Sequence, residues 1–391
     1  MHIALTAPFW GQPTTGSGQY LHRLVEELRQ QDSSLRLTLI ADADAARRAP
    51  PPEGVSWHVA RTPLDDRSPN LAKLWFEQVA APRAARAVGA DLLHVPYFAP
   101  PLSHTMPLVV TIHDLIPMLL PAYRGSALVR GYTALAARAA RRADVILADS
   151  HASHRDILRH LRVEPARVYT VYLAADECFA PQSAEAIAAV RRKYALPEHF
   201  ALYLGGFDVR KNVPRLLKAL AQSDGEWPLV LAGKLPGQDS AFFPDPRRLV
   251  AQWGLDERVI FTGWIEEEEK PALLAAADLF VFPSAYEGFG LPILEAMACG
   301  TATLTTNVSS LPELAGDAAA LVPPNDVPAL AQAMTHLMRD EAARRELAAH
   351  GPGQAARFSW ARCAAETLES YGRAFSSSKF SSSSSRPPES S

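Results

Sequence analysis

Residues 279–295 read LFVFPSAYEGFGLPILE. Leu279–Phe282 is a short apolar run of the length that suits a buried strand, and the glycines after it mark a turn. Pro292 has the fixed φ suited to the first position of a helix. Strand, loop and helix therefore follow one another here, the unit from which open α/β sheets are built. Gly288, Phe289, Gly290 and Leu291 lie in the turn, where glycine lets the backbone approach a ligand closely. A helix opening at Pro292 presents unpaired N–H groups and the positive end of its dipole, which suit a diphosphate. Glu287 precedes that seat and Glu295 lies a turn inside the helix. The two carboxylates can flank one extended ligand and accept from its sugar hydroxyls. An ordinary strand, turn and helix with a solvated Glu295 is the alternative.

The same unit recurs along the chain. Apolar runs at His2–Ala7, Leu37–Ala41, Leu92–Val95, Leu108–Ile112, Val145–Ala148 and Val168–Tyr172 alternate with stretches able to form helices. A second series follows at Phe200–Leu204, Leu229–Ala232, Val259–Phe261, Leu279–Phe282, Ala302–Thr305 and Ala320–Val322. Runs of this kind read as parallel strands buried on both faces, so two doubly wound α/β domains are predicted. The boundary is expected in Phe179–Gln182, dividing 1–180 from 181–359, with helices at Ser183–Tyr194, Val213–Ala221 and Val327–Met338. Residues 376–391 are mostly serine with two prolines, cannot bury a core, and are expected to form a disordered tail.

At Glu287 and Glu295 the sequence resembles the retaining family 4 glycosyltransferases, marked by a Glu-x7-Glu pair in the second domain of a GT-B fold. SAYEGFGLPILEAMACG (284–300), YLGGFDVRKN (203–212), TIHDLIP (111–117), FTGWI (261–265) and Phe358-Ser359-Trp360 stand in the family's order and spacing. Together they span nearly the whole chain. The resemblance implies two Rossmann-like domains with a central cleft, and a last helix, Trp360 to about Gly372, that returns to the first domain; residues 360–375 are counted with it.

Candidate residues come from the carboxyl ends of the strands, where ligands of open sheets sit. Lys211 follows the first strand of the second domain and can neutralise a departing diphosphate. The resemblance assigns it that role, and Glu287 the steadying of the transferred sugar. Many relatives carry an arginine soon after the first glycine, where this chain has Gly206 and Phe207, so Arg210 is the candidate substitute; an exposed turn is the plainer reading of both cations. His113 ends the run Leu108–Ile112, and by resemblance it contacts the transferred sugar, though a structural histidine is the plainer reading of the residue alone. Asp114 can cap the next turn. Gly16, Ser17 and Gly18 lie in the loop Thr15–Gln19 that precedes the helix toward Leu28, and in the family this loop closes over the donor phosphates. A dinucleotide fingerprint is excluded because Leu21 stands where a third glycine is needed. The backbone at Ile265 is expected beside the nucleobase, and Trp264 is expected to anchor the fold.

Composition narrows the partners. The 391 residues carry a formal net charge of −3 with a pI near 6.5, and no Lys/Arg stripe interleaved with aromatics, so nucleic acid is not expected. Three cysteines without metal-ligand spacing indicate neither a disulfide scaffold nor a zinc site. Asp42-Ala43-Asp44 is a formal DxD, but it stands apart from every other motif and reads as a helix start. Metal and cofactor are therefore not expected; helix amides and Lys211 serve instead. MHIALTAPFW lacks a basic start with a long apolar run and no run of 18 apolar residues occurs, so a cytoplasmic location is expected. Arg124, Arg130, Arg138, Arg141 and Arg142 on an alanine-rich helix allow peripheral contact with the inner face of a membrane. The acceptor side is expected around His94–Phe98 and Trp75. The resemblance implies a metal-independent enzyme moving a hexose, mannose favoured, from a GDP-sugar, or a UDP-sugar, to a hydroxyl of a glycan or lipid-linked acceptor. A GT-B epimerase or hydrolase, and a non-catalytic sugar-nucleotide-binding module, are the alternatives.

Overall fold

The computed structural model describes residues 1–50 and 53–383. The chain divides into two compact units, one formed by Met1–Leu173 with the segment from Trp360, the other by Ala174–Ser359.

The first unit holds β1 (His2–Thr6), β2 (Arg36–Ala41), β3 (Ser56–Val59), β4 (Leu92–Val95), β5 (Leu108–Ile112), β6 (Val145–Ala148) and β7 (Val168–Thr170). They form one sheet in the order β3-β2-β1-β4-β5-β6-β7, parallel throughout. The second holds β8 (Ala201–Leu204), β9 (Leu229–Ala232), β10 (Val259–Gly263), β11 (Leu279–Phe282), β12 (Thr303–Thr306) and β13 (Ala319–Val322). Their order is β10-β9-β8-β11-β12-β13, again all parallel. In each sheet the order reverses beside its first strand, at β1/β4 and at β8/β11. That reversal opens a crevice at the carboxyl ends of the strands, where such folds take their ligands.

The central strands are buried along their whole length, which is why they read as unbroken apolar runs. Each Leu, Ile, Val or Phe taken fully out of water there contributes roughly 1.5–3 kcal/mol. β3 was not foreseen. Its sequence, SWHV, lies at the sheet edge with Ser56 exposed and the rest half-buried, so it needed no apolar run.

Two expectations are corrected. The division falls at Leu173/Ala174 rather than after residue 180. Residues 176–182 turn on themselves through Asp176, and the Ala180 backbone reaches Cys299, which ties this stretch to the second unit. The last helix runs Trp360–Ser383, not to about Gly372. Trp360, Cys363, Ala364, Thr367, Tyr371 and Ala374 are buried at helical spacing, and once that nucleus is packed each added serine costs little. Of the tail expected to be disordered, 376–383 is thus helical and 384–391 lies outside the described residues.

A buried polar chain fixes this helix. Tyr371 Oη is 2.8 Å from His94 Nδ1, His94 Nε2 is 2.9 Å from Thr111 Oγ1, and Thr111 Oγ1 is 2.9 Å from Tyr20 Oη. Burial pushes the His94 imidazole down to about 3, so it serves as a neutral linker between two hydroxyls.

Candidate active site

In the second unit the loop after β8 folds as a short 3₁₀ turn, Val209–Lys211, and carries two cations toward the loop after β11. Lys211 Nζ donates to Glu287 Oε1 at 2.8 Å, and the Arg210 guanidinium pairs with Glu287 Oε2. Arg210 also donates to the Tyr286 carbonyl at 2.8 Å. Glu287 is only 8% exposed. Burial by itself raises its carboxyl; Lys211 and then Arg210 outweigh that and hold it below the usual range. The exposed-turn reading of these cations therefore does not hold, since the side chains of both are mostly covered. Asn212 pins the arrangement. Its φ of +63° is left-handed, and its side-chain amide donates to the carbonyls of Pro283 at 2.9 Å and Pro324 at 2.8 Å.

Beyond Glu287 the chain passes Gly288 and Phe289 to Gly290, which caps the helix Leu291–Ala298. Helical geometry starts at Leu291, so Pro292 takes the second position rather than the first. Gly290 has φ +124°, and a Cβ there would lie 2.9 Å from Leu311 Cδ2, so this corner requires glycine. Phe289 is buried edge-on against Phe358, with ring centroids 6.1 Å apart. Ser309 and Ser310, which the sequence reading passed over, fix the loop from behind. Ser309 Oγ accepts from the Glu287 amide at 2.9 Å, while the Ser310 hydroxyl donates to the Glu287 carbonyl at 3.1 Å and to the Phe289 carbonyl. Ser309 itself has φ +48°, a left-handed strain of about 1–3 kcal/mol held at the site.

Glu295, inside the same helix, is 7% exposed, so it is not a solvated surface glutamate. Burial raises its carboxyl to about 7, with Lys270 pulling down and Glu267 pushing up. Ile265 is buried after β10, but Trp264 is 48% exposed. Trp264 is therefore no fold anchor. Gly263 before it has φ +74°, which turns the chain so that Ile265 rather than Trp264 packs inward.

In the first unit β5 delivers His113. Its Nδ1 lies 2.7 Å from Asp149 Oδ2, and Tyr20 stands edge-on to the imidazole with centroids 5.0 Å apart. Burial works against the charged imidazole, yet Asp149 outweighs it and holds His113 above the usual histidine range. Asp149 is a residue that sequence reasoning missed. Asp114 accepts from the Ile116 amide at 2.8 Å. At the opening loop Thr15 Oγ1 accepts from the Gly18 amide, and a Cβ on Gly18 would stand 1.9 Å from the Gln12 carbonyl oxygen. Gly18 is thus committed to packing this corner. Gly16, exposed, and Ser17, half-buried, form the first turn of the helix Gly16–Gln31, with nothing within 4 Å of a Cβ on Gly16. Asp42 accepts from the Ala45 amide at 2.7 Å as a helix cap, and among the described residues no group of three or more His, Cys, Asp or Glu is arranged to hold a metal.

Residues 167–354 match the family described as glycosyl transferases group 1, and residues 14–177 match Glycosyltransferase Family 4. Over 374 residues, 92% of this chain and 96% of the relative, it is 32% identical to O-antigen chain mannosyltransferase B of Escherichia coli. The chain belongs to the family 4 glycosyltransferases. This glycosyltransferase is also 38% identical over 280 residues, 69% of its length, to the serotype-specific mannosyltransferase WbdA of Escherichia coli, and spans only 34% of that longer protein. Its fold is GT-B. Sucrose-phosphate synthase of Thermosynechococcus elongatus superposes with a TM-score of 0.78 over 96% of this glycosyltransferase and 99% of that chain, at 24% identity.

Proposed function

We propose that this glycosyltransferase moves a hexose, mannose favoured, from a nucleoside-diphosphate sugar to a hydroxyl of a glycan or lipid-linked acceptor, with retention and without a metal ion. The observation that carries this reading is the buried Glu287 carboxylate, gripped by Lys211 and Arg210 just ahead of the helix Leu291–Ala298. Two cations and the opening amides of that helix supply the positive charge that a departing diphosphate needs.

In this reading the bond between the sugar C1 and the diphosphate oxygen breaks while Lys211 and Arg210 take up the growing negative charge. The sugar becomes oxocarbenium-like, and Glu287, kept ionised by its cations, steadies it. The leaving diphosphate accepts the proton of the acceptor hydroxyl, whose oxygen bonds C1 on the same face. Gly16 and Ser17 offer first-turn amides to phosphate, Ile265 offers backbone to the base, Glu295 holds ribose hydroxyls, and His113 touches the transferred sugar. Mannose is supported by the mannosyltransferase names of the two Escherichia coli relatives, and this reading takes GDP-mannose ahead of a UDP-sugar as the donor.

A lipid-linked acceptor agrees with the start of the helix Ala127–Ala140, where Leu128 is 86% exposed beside Arg124 and Arg130. Arg130 donates to the Gly125 carbonyl, and Arg141 and Arg142 to those of Leu161 and Leu102. No helix among the described residues is long and apolar enough to cross a membrane, so contact of this kind is peripheral. Leu128→Glu is expected to lower co-sedimentation with anionic vesicles at low salt; unchanged sedimentation would remove the membrane part of the reading.

The transfer itself is tested with GDP-mannose and an alkyl α-mannoside in excess EDTA, the product linkage being read by NMR. An α-linked product is expected. A β-linkage, a requirement for metal, or donor breakdown at full rate without acceptor would contradict the reading.

A further inference from the structure

β5 and β6 run parallel with Ile112 opposite Ala148, so the next residue of each, His113 and Asp149, leave the sheet side by side. Asp149 is 2% exposed and its Oδ2 sits 2.7 Å from His113 Nδ1. Nε2 is also buried and makes no hydrogen bond of good geometry among the described residues, although the Pro96 carbonyl stands near the ring. Tyr20 lies edge-on to the ring, and its hydroxyl is held by Thr111. Turning the imidazole over would break the Asp149 contact and leave a buried carboxylate alone, a costly state.

We propose that Asp149 is the positioning residue of His113: by accepting the Nδ1 hydrogen it fixes the tautomer whose Nε2 lone pair receives a hydroxyl hydrogen of the transferred sugar. This rests on the reading that His113 touches that sugar. An ionised carboxylate only accepts hydrogen bonds, and a neutral imidazole has one donor and one acceptor nitrogen. With Nδ1–H committed to Asp149, Nε2 is left as the acceptor. This buried nitrogen then has a use, because a sugar hydroxyl supplies the hydrogen it lacks.

The pairing also sets a pH dependence. Burial disfavours the imidazolium, whereas Asp149, then Asp114 and the Pro96 carbonyl, favour it; His94 on β4 lies near enough to feel the same charge, and Tyr20 adds a neutral hydroxyl. The imidazolium has no Nε2 lone pair, and it repels an oxocarbenium-like sugar. Activity therefore rises as His113 loses its proton, on an acid limb placed above the ordinary histidine range. Asp149→Asn removes the anionic pull, burial then dominates, and the limb moves to lower pH. An amide can also present either N–H or oxygen to Nδ1, so the tautomer loses its definition.

The test is ¹⁵N NMR of histidine-labelled protein, for the wild type and for Asp149→Asn and Asp149→Ala, together with the pH profile of kcat. The wild type is expected to show the Nδ1–H tautomer. In the variants the His113 titration and the acid limb should shift downward together. kcat should fall by about tenfold or more, with nucleotide affinity unchanged. An Nε2–H tautomer in the wild type, or a titration and limb unmoved in both variants, would overturn the proposal. Loss of the Nδ1–H tautomer in the variants, with no sugar transfer by the wild type, would count against the transfer reading alone.

Discussion

Lys211 Nζ lies 2.8 Å from Glu287 Oε1, although the two residues are 76 positions apart and stand on loops that follow different strands, β8 and β11. Because β8 and β11 are adjacent in the sheet at the point where strand order reverses, their loops are forced together. The topology thus builds a cation–carboxylate pair that neither loop specifies by itself.

In the proposed transfer that pair divides labour between chemistry and binding. Glu287→Gln keeps the shape but removes the charge that this reading sets against the oxocarbenium-like sugar. Turnover should fall by about 10²–10³-fold, while the nucleotide dissociation constant changes by less than about threefold. Steady-state kinetics beside a nucleotide titration distinguishes this from a binding role, in which the dissociation constant would carry the loss.

Glu295 makes stability depend on pH in a stated direction. Its carboxyl is raised from an ordinary 4.5 to about 7, so between those values the folded chain holds a proton that the unfolded chain has released. Stability therefore falls as pH rises through this window, by up to about 3 kcal/mol. Glu295→Gln should flatten that part of the profile, which melts at pH 5 and pH 8 would register. Parallel profiles for the two proteins would show that this carboxylate is not the cause.

Two glycines in one loop should behave oppositely. Gly16→Ala has open space in a first helical turn and should leave stability within about 0.5 kcal/mol. Gly18→Ala drives a methyl group to 1.9 Å from the Gln12 carbonyl oxygen, and should cost about 2 kcal/mol or more or reshape the loop. Denaturant unfolding of both variants settles the contrast.

Tyr371→Phe removes the hydroxyl partnered with His94 Nδ1 inside the first unit. Leaving that buried nitrogen unpaired should destabilise the protein by about 1–3 kcal/mol. Because Tyr371 stands on the last helix, amide exchange in Trp360–Ala374 should quicken first. Uniform exchange across the unit would argue that the helix is not held by this bond.

The fold was legible because parallel strands buried on both faces need continuous apolar runs, and twelve such runs stand where β1, β2 and β4–β13 lie. β3 escaped because an edge strand does not need one. EGFGLPILE was legible as a loop and helix start, and glycine at 290 is explained by its positive φ and the nearness of Leu311. Asp149 and Asn212 were not, since their contacts depend on which strand ends are neighbours, and that is a property of sheet order rather than of local spacing. The exposure of Trp264 was missed for a related reason: an aromatic beside an isoleucine after a strand gives no sign of which of the two turns inward.

The most direct test of the account is calorimetric titration of the protein with GDP, UDP and ADP in EDTA, repeated on Lys211→Ala. The account predicts that one of the three binds selectively without metal, GDP by preference, and that Lys211→Ala weakens it by about tenfold or more. Binding by none of the three without metal, or binding indifferent to Lys211, would contradict it.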